Sequence, residues 1–267
     1  MLSCHKERHL QKIPSLDAQC IILNLEDGVS KEEKPMALIL CAEYLKNYKK
    51  IKKMFVVRVN ALDEGGLEEI KYLNKFKPDA IRVPKIKTIE DVDIALNAID
   101  SSIELHLSVE TASAWVNLAN LKINDRVTTY YLGVLDLLAD MNLPHSMVDI
   151  DNPTMRYILS HFLMTSLSLG VKPVSFVYQD YKDLDQFSLW LSLEKQMGYD
   201  AKGCISPKQA SLVNEVFSNN EFDVSKARKI VTLFENQREI GITGFIDDEL
   251  GFIDEPVYKG ALALLRK

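Results

Sequence analysis

Short apolar runs alternate along the chain with longer stretches of helical periodicity. The runs are rich in β-branched and aromatic residues, as buried strands are, whereas the stretches between them repeat apolar residues every three or four positions. Strands that alternate with helices indicate βαβ units around a parallel sheet. We predict strands at Gln19–Glu26, Met54–Asn60, Ala80–Lys85, Ile103–Glu110, Val127–Gly133, Val171–Tyr178 and Ala201–Ile205.

An amphipathic helix is predicted after each of these strands. A further helix, over Glu7–Ile13, is predicted before the first strand. The helices that follow the strands are predicted at Lys31–Tyr48, Leu67–Phe76, Ile89–Ile99, Thr111–Leu121, Pro153–Leu169, Leu184–Met197 and Lys208–Phe217.

This pattern has one strand fewer than a (β/α)8 barrel requires. We therefore expect an α/β fold, a (β/α)8 TIM barrel whose first strand is truncated or missing. Either Met1–Cys4 is a remnant of that strand, or the barrel is open there. An open doubly wound sheet is the alternative, but no G-x-G-x-x-G motif follows any strand, which disfavours it.

The pattern changes after Phe217. A helix is predicted over Ser225–Glu239, a turn-rich segment over Gly241–Ile253, and a closing helix over Pro256–Arg266 with Pro in its first turn. We interpret residues 1–217 as the barrel domain. Residues 218–267 are predicted to form a C-terminal helical extension that serves as a lid or in oligomerisation.

Composition and charge narrow the class of protein. With 32 Lys and Arg against 38 Asp and Glu, the net charge is −6, and 47% of the residues are hydrophobic, as in ordinary globular domains. The mild acidity argues against nucleic-acid and anionic-membrane partners. No segment is long enough to span a membrane or serve as a signal peptide, and no C-x-x-C spacing occurs. We expect a cytoplasmic protein with reduced thiols.

Polar residues cluster where the predicted strands end. In barrels the working residues lie at the C-terminal ends of the strands, where the βα loops begin. Neighbouring parallel strands are about 5 Å apart, so carboxylates at their ends would repel one another unless a positive group lay between them. The residues at these positions are Glu26, Asp27, Arg58, Lys85, Glu110, Asp136 and Asp140.

Glu110 and Asp136 are the candidate ligands of a hard divalent cation. Mg²⁺ is typically bound by one or two carboxylates, with water and substrate oxygens in the other positions. Arg58, at the same edge, suits a bidentate contact to a substrate carboxylate. The alternative is that Glu110 caps the following helix and that Asp136 lies in a polar loop.

Other strand-end residues have two interpretations each. Glu26 and Asp27 are either acceptors that orient metal-bound water or a carboxylate pair at a helix start. Lys85 is the candidate cofactor-binding residue: it would form a Schiff base if buried, or an ion pair with Glu26 or Asp27. His106 is predicted to be a core histidine with satisfied hydrogen bonds. His5 and His9 have the i, i+4 spacing of a zinc site and lie beside Cys4, but no further ligand motif accompanies them.

A series of short motifs follows in a fixed order along the chain. They are Asn24-Leu25-Glu26-Asp27-Gly28-Val29 with Lys34, Val57-Arg58-Val59-Asn60, Val83-Pro84-Lys85, Val109-Glu110-Thr111-Ala112, Leu132-Gly133 through Asp136 to Asp140, Met197-Gly198-Tyr199-Asp200-Ala201-Lys202, Ser206-Pro207-Lys208-Gln209 and Phe252-Ile253-Asp254-Glu255-Pro256. In these motifs and their order, the sequence resembles the β subunit of citrate lyase and its relatives, the malyl-CoA and citramalyl-CoA lyases of the HpcH/HpaI aldolase group.

The resemblance implies a Mg²⁺-dependent (β/α)8 lyase, commonly trimeric, that cleaves a 3-hydroxyacyl thioester by a retro-Claisen reaction. By position, Glu110 and Asp136 resemble the metal ligands and Arg58 the residue that binds the substrate carboxylate. Asp254 matches an acid that the lid of a neighbouring subunit brings to the site. The implied partners are an acyl-CoA or acyl-carrier-protein thioester, further copies of the chain and other lyase subunits.

The sequence departs from the family pattern at several positions. The L-F-V-P-G ending of the first strand is absent, Asn24 replaces the first Asp of D-L-E-D, and Ser206 stands where H-P-x-Q has histidine. Ala114 and Trp115 occupy the turn where the family has glycine. Two alternatives to the lyase follow: a Schiff-base aldolase that uses Lys85, and a paralogue that binds an acyl thioester or a partner subunit without turning it over.

Overall fold

The computed structural model describes residues 1–48, 51–218 and 221–265. Contacts divide the chain into two compact units, Met1–Phe217 and Ser218–Lys267. No helix among the described residues is long and apolar enough to cross a membrane.

The first unit is built on a parallel sheet whose strand order follows the chain. In the described part of this unit the sheet has seven strands. They are β1 (Leu2–Ser3), β2 (Cys20–Asn24), β3 (Met54–Arg58), β4 (Ala80–Val83), β5 (Glu104–Val109), β6 (Val127–Leu132) and β7 (Lys172–Val174).

Helices connect the successive strands of this sheet, and two more helices follow its last strand. They are α1 (Glu7–Leu10), α2 (Lys34–Tyr48), α3 (Gly66–Leu73), α4 (Ile89–Ala98), α5 (Ala112–Asn117), α6 (Val134–Asp140), α7 (Pro153–Ser168) and, after the last strand, α8 (Leu184–Met197) and α9 (Pro207–Phe217). The strand residues that face these helices are apolar, as Ile21 and Leu23 of β2 are, and they join the helices in one large core. Burial on both sides is what a parallel sheet between crossover helices requires.

The sheet is strongly curled. On its inner face, side chains from β2, β3, β4, β6 and β7 pack into one cluster. In a flat sheet β2 and β7 would be about 24 Å apart, because neighbouring strands are spaced by about 4.8 Å. Curling therefore brings strands that are distant in the sheet order into contact. Because side chains alternate along a strand, the residues two positions after these cluster residues also point to the inner face.

The start of the chain contains the remnant of a first strand. Leu2 and Ser3 pair in parallel with Leu23 and Asn24 of β2. Of the two possibilities left open by the sequence, the remnant is therefore the one observed. It is only two residues long, which explains why no periodic pattern marked it.

The prediction of a strand over Ala201–Ile205 is wrong. The pairing of this segment with β7 is limited to one bridge, in which the Ser175 N–H donates to the Ala201 carbonyl (3.0 Å) and the Gly203 N–H to the Ser175 carbonyl (3.1 Å). β7 is itself only three residues long, so it offers little edge for a longer ladder. The nitrogen of Met1 donates to the Cys204 carbonyl at 2.7 Å. Residues 201–204 thus link the two ends of the sheet.

The second unit contains a β-hairpin where a turn-rich segment was predicted, over Gly241–Ile253. It comprises α10 (Glu221–Glu239), β8 (Gly244–Asp247), the antiparallel β9 (Gly251–Asp254) and α11 (Glu255–Leu265). The extension is therefore not purely helical. Each strand is only four residues long, too short for the apolar alternation to stand out. Of the predicted closing helix, Arg266 lies outside the described residues.

A buried ion pair anchors the segment that links the sheet ends. The Lys202 ammonium lies 2.6 Å from Oε1 of Glu194 on α8, and both side chains are fully buried. The Ser175 hydroxyl donates to the same oxygen at 2.6 Å. The ammonium also lies 3.9 Å from the ring centroid of Phe176. These contacts position Lys202 where the sheet supplies only a single bridge.

Replacing Lys202 by Met is expected to lower the free energy of unfolding by about 3 to 5 kcal/mol, because it leaves the Glu194 carboxylate buried without a cation. The double variant Glu194→Gln/Lys202→Met should lose less, because no unpaired charge remains. Lys172→Met is the matched control: it removes a surface ion pair with Asp200 (3.6 Å) and should cost no more than about 1 kcal/mol. Urea unfolding measures all three, and a double variant less stable than Lys202→Met would contradict the interpretation.

Candidate active site

The C-terminal ends of β2 to β6 bring together the site residues predicted in the first unit. Glu26 and Asp27 follow β2, Arg58 ends β3, Lys85 follows β4, and Glu110 follows β5. Glu26, Arg58 and Glu110 are almost completely buried. The strands run parallel, so these positions meet at one edge of the sheet. The inner-face alternation directs the side chains of Glu26, Arg58 and Glu110 toward one another.

Arg58 is the centre of the charge cluster. Its Nη2 lies 2.5 Å from Oε2 of Glu26, 3.4 Å from Oδ2 of Asp27 and 3.8 Å from Oε1 of Glu110. Three carboxylates from the ends of β2 and β5, which are not neighbours in the sheet order, thus approach one guanidinium nitrogen. Arg58 supplies the positive charge that carboxylates gathered at these strand ends require.

Burial makes the Glu26 carboxyl a weaker acid than an exposed glutamate. Desolvation raises the pKa of its carboxyl to about 7, although the Arg58 guanidinium and the Asp27 N–H (2.8 Å) both favour the charged form. Its Oε1 is buried without a hydrogen bond, and the Lys85 ammonium lies 3.6 Å from it. A carboxyl with this pKa can gain or lose a proton near neutral pH.

Lys85 forms an ion pair with Glu26, which is one of the two roles predicted for it; the other was a Schiff base. Its ammonium lies 3.6 Å from Glu26 and 3.9 Å from Oε2 of Glu64. Partial burial lowers the pKa of Lys85, but these carboxylates, with Asp27 and Glu110, more than offset this and raise it above its ordinary value. A Schiff base requires the neutral amine, so this environment disfavours that chemistry. Binding of a cofactor by Lys85 stays a prediction.

Backbone groups on both sides hold the Glu110 carboxylate. The Lys85 N–H donates to its Oε1 at 2.8 Å. On the other side, a Cβ added at Gly133 would lie 2.5 Å from both Cβ and Oε2 of Glu110, so only glycine leaves room. The expectation that Glu110 caps α5 is wrong: Thr111 does so, its Oγ1 accepting the Ala114 N–H at 3.0 Å. The threonine hydroxyl is better placed for capping, which leaves Glu110 pointing into the site.

Asp136 lies in the first turn of α6, so the expectation of a polar loop is also wrong. Helix α6 is short and follows Gly133 directly, and this hid its periodicity in the sequence. Partial desolvation raises the pKa of the Asp136 carboxyl, and the charges of Glu110 and Asp27 raise it further. Mutual repulsion among these carboxylates is what a divalent cation between them would relieve, so the donor set fits such an ion.

A metal at this edge would have few protein ligands. Within the described ranges, which omit residues 49–50, 219–220 and 266–267, no group of three or more His, Cys, Asp or Glu side chains could hold a metal ion. This also removes the zinc alternative at His5. Glu110 and Asp136 would supply two ligands, and water and substrate oxygens the rest, which is how Mg²⁺ is usually bound.

Sequence reasoning missed Arg82 and Glu64. Arg82 pairs in register with Arg58 and is buried on the inner face, where its Nε donates to the Ser108 hydroxyl at 2.8 Å. Burial and the nearby Arg58 lower the pKa of Arg82 to about 10. The signal for Arg82 was present, because it alternates with apolar strand residues. Glu64 lies in a short loop helix, where no pattern marked its approach to Lys85.

His106 is a core histidine with hydrogen-bond partners, as predicted. It is buried, and its ring nitrogens lie 3.3 Å from Oε2 of Glu104 and 3.3 Å from the Tyr131 hydroxyl. Burial lowers the pKa of the His106 imidazole, although Glu104 opposes this. The side chain therefore belongs to the polar interior of the sheet.

Several motif residues have structural roles outside the charge cluster. Asn60 accepts a hydrogen bond from Lys34 and donates to both Leu25 and Glu69. The Ser206 hydroxyl accepts the N–H of Gln209 at 3.2 Å, so it caps α9.

Asp254 belongs to the second unit. Its Oδ1 accepts the Val257 N–H at 3.1 Å at the start of α11, which is a capping interaction. A role in catalysis remains a prediction.

Comparisons with known proteins agree with the motifs. The family model for HpcH/HpaI aldolase/citrate lyase matches residues 2–207. The (3S)-malyl-CoA thioesterase of Cereibacter sphaeroides is 30% identical over 237 residues, which cover 88% of this chain and 82% of that protein. Citrate lyase subunit beta of Leuconostoc mesenteroides subsp. cremoris is 26% identical over 261 residues, covering 93% of this chain and 85% of that protein.

The fold is also similar to solved structures. The crystal structure of the protein CitE from Mycobacterium tuberculosis in complex with magnesium, acetoacetate and coenzyme A superposes with a TM-score of 0.79 at 21% identity, covering 99% of this chain and 95% of that one. This likeness confirms the α/β fold with its curled parallel sheet. The family suggested by the motifs is confirmed by the family model.

The close approach at Gly133 predicts a steric effect on Glu110. Gly133→Ala should lower the free energy of unfolding by about 1 to 3 kcal/mol, because the new Cβ overlaps the glutamate in a packed site. The backbone φ of Gly133 is −96°, which alanine adopts readily, so the cost is steric. Gly260→Ala, on α11 with nothing within 4 Å, is the control and should be neutral or stabilising. Equal stabilities of the two variants in urea unfolding would refute the close approach.

Proposed function

The chain belongs to the HpcH/HpaI aldolase/citrate lyase family, and we propose that it is a Mg²⁺-dependent carbon-carbon lyase. Its substrate is a 3-hydroxyacyl thioester of the citryl, malyl or citramalyl type, which it cleaves to a keto acid and an acyl thioester. The observation that carries this proposal is the buried Arg58 beside the Glu110 and Asp136 carboxylates at the strand ends. An arginine next to a cation site suits a substrate that carries a carboxylate.

We further propose that the sheet closes as a (β/α)8 barrel. Residues 201–204 would take the eighth strand position, and the two-residue β1 would be the shortened first strand. The bridge from Ser175 to Lys202 and the hydrogen bond from Met1 to Cys204 support this closure. A closed arrangement gathers the strand ends into one pocket mouth.

In this proposal the residues divide the chemistry among them. Glu110 and Asp136 would hold Mg²⁺, which when bound supplies positive charge next to the keto-acid oxygens. Arg58 binds the substrate carboxylate and is itself held by Glu26 and Asp27. Glu26, whose pKa is near neutral, takes the proton of the 3-hydroxyl.

The bond changes then balance. As the hydroxyl proton leaves, the carbon bearing it becomes the carbonyl of the keto acid, and the bond to the thioester α-carbon breaks. The electron pair of that bond remains on the acyl fragment as a thioester enolate, and a proton delivered to the α-carbon completes the acyl thioester.

Hydrolysis of the thioester is the second candidate function. The (3S)-malyl-CoA thioesterase of C. sphaeroides is 30% identical to this chain, higher than the 26% of the citrate lyase subunit. Both reactions would use the same thioester and the same Arg58 contact. They differ in their products, because hydrolysis releases the intact hydroxy acid and a free thiol, whereas cleavage releases a keto acid.

The partners follow from this function. We propose that the thioester carrier is coenzyme A or an acyl-carrier protein; the similar structure from M. tuberculosis contains coenzyme A. We also propose a homotrimer, with Asp254 serving as an acid in the site of a neighbouring copy. Its capping bond uses one carboxylate oxygen, Oδ1, so capping and catalysis are compatible.

Removing either proposed metal ligand should weaken Mg²⁺ binding by at least about tenfold, because the described residues contain no group of three carboxylates that could hold the ion. Isothermal titration calorimetry of Glu110→Gln and Asp136→Asn measures this. Asp93→Asn is the control, because Asp93 is on α4 and its side chain bonds the exposed Asn97.

Mixing the wild-type protein with malyl-CoA and Mg²⁺ should release a keto acid. Wild-type protein that binds no Mg²⁺ would refute the metal site, and malate with free thiol as the products would favour the thioesterase.

A shared site predicts complementation between inactive subunits. Glu110→Ala and Asp254→Ala chains should each be inactive, and mixed oligomers should regain part of the activity because some sites then contain both native residues. Unmixed samples taken through the same exchange procedure are the control. A monomeric protein, or no recovery after subunit exchange, would leave Asp254 with its capping role alone.

A further inference from the structure

We propose that Lys85 is a positioning residue that fixes Glu110 through its main-chain N–H and Glu26 through its ammonium. The inference rests on the proposed function only in taking Glu110 as a metal ligand. It assigns to Lys85 a role distinct from cofactor binding and from Schiff-base formation. Two features of the residue carry it: its backbone conformation and its pair of contacts.

The backbone of Lys85 is strained. Its φ is +53°, in the left-handed region that glycine adopts freely and other residues avoid at a cost of roughly 1 to 2 kcal/mol. Strand β4 ends at Val83, and Pro84 follows, which offers no N–H. The chain therefore changes direction at Lys85, and its N–H, the first available after the strand, points at a side chain. Strain retained at such a position points to a functional constraint.

The main-chain contact determines the orientation of Glu110. The Lys85 N–H donates to Oε1 at 2.8 Å, while Gly133 leaves space for Oε2 on the opposite side. The carboxylate is thus held between two backbone segments, from the ends of β4 and β6. With an extended residue at position 85, the preceding peptide plane would have to rotate for the chain to keep its path, and its N–H would then release one side of the carboxylate.

The side-chain contact explains why this position is a lysine. The ammonium lies 3.6 Å from the Glu26 oxygen that has no hydrogen bond, and 3.9 Å from Glu64. Glycine would avoid the strain but would leave the buried Glu26 carboxylate without this cation. Lys85 therefore connects the Glu110 side of the site with the Glu26 and Arg58 side. Substitution by glycine removes the ammonium contact alone, whereas substitution by valine also disfavours the main-chain contact.

The experiment compares glycine with valine at position 85. Both substitutions remove the ammonium, but glycine keeps the positive φ and the N–H, whereas a β-branched residue disfavours that conformation. Lys77, with φ +46° in the turn before β4, provides matched controls at the other end of the strand as Lys77→Gly and Lys77→Val. Calorimetric Mg²⁺ affinity and thermal unfolding are measured for all four variants.

We expect Lys85→Gly to bind Mg²⁺ within about threefold of wild type and Lys85→Val to bind at least about tenfold more weakly, the size of effect seen when a group that orients a metal ligand is lost. Lys77→Val should be less stable than Lys77→Gly yet bind Mg²⁺ as wild type does. Equal affinities of the two position-85 variants would overturn the proposal, as would an equal loss of affinity in Lys77→Val.

A metal-free readout separates this inference from the proposed function. If wild-type protein binds no Mg²⁺, the proposed function fails, and crystal structures of the variants then decide the role of Lys85. The Glu110 carboxylate should accept the residue-85 N–H in Lys85→Gly and should rotate away in Lys85→Val. An unmoved carboxylate in folded Lys85→Val would refute the positioning role.

Discussion

The site depends on one buried guanidinium. Carboxylates gathered at the ends of parallel strands repel one another, and at 4 Å two like charges near a protein surface interact by about 4 kcal/mol. Nη2 of Arg58 offsets this repulsion, because Glu26, Asp27 and Glu110 all lie within 4.0 Å of it. Without that charge the strand ends of β2 and β5 could not both present ionised carboxylates to the same buried space.

Curling of the sheet creates that space. Inner-face side chains of strands that are not neighbours pack together. The inner-face residues that follow them at the strand ends therefore converge as well. Between this apolar cluster and the carboxylates the inner face is polar: Arg82 bonds Ser108 and lies 4.1 Å from the centroid of the Tyr131 ring. The positive charge of Arg82, next to Arg58 in register, adds to the field that the carboxylates experience. Burial of these groups is what shifts their pKa values, and a near-neutral Glu26 is its chemical consequence.

Much of this could be predicted from the sequence, and the reasons for the rest are physical. Period and composition located β2 to β7 and most helices, since buried parallel strands carry continuous apolar runs. Short elements escaped: β1 has two residues, α6 follows a glycine directly, and the hairpin strands have four residues each. The strand-end rule identified Glu26, Arg58, Glu110 and Asp136. It could not reveal that Gly133 and the strained Lys85 orient Glu110, because that depends on which strand ends lie side by side.

The most direct test of this account is a crystal of the protein soaked in Mn²⁺, whose anomalous scattering locates a substitute for Mg²⁺. The account predicts one strong peak at the C-terminal strand ends, about 2.1 Å from a carboxylate oxygen of Glu110 and about the same distance from one of Asp136, with the remaining ligands supplied by water. A peak bound elsewhere, or no peak with both carboxylates well ordered, would contradict it.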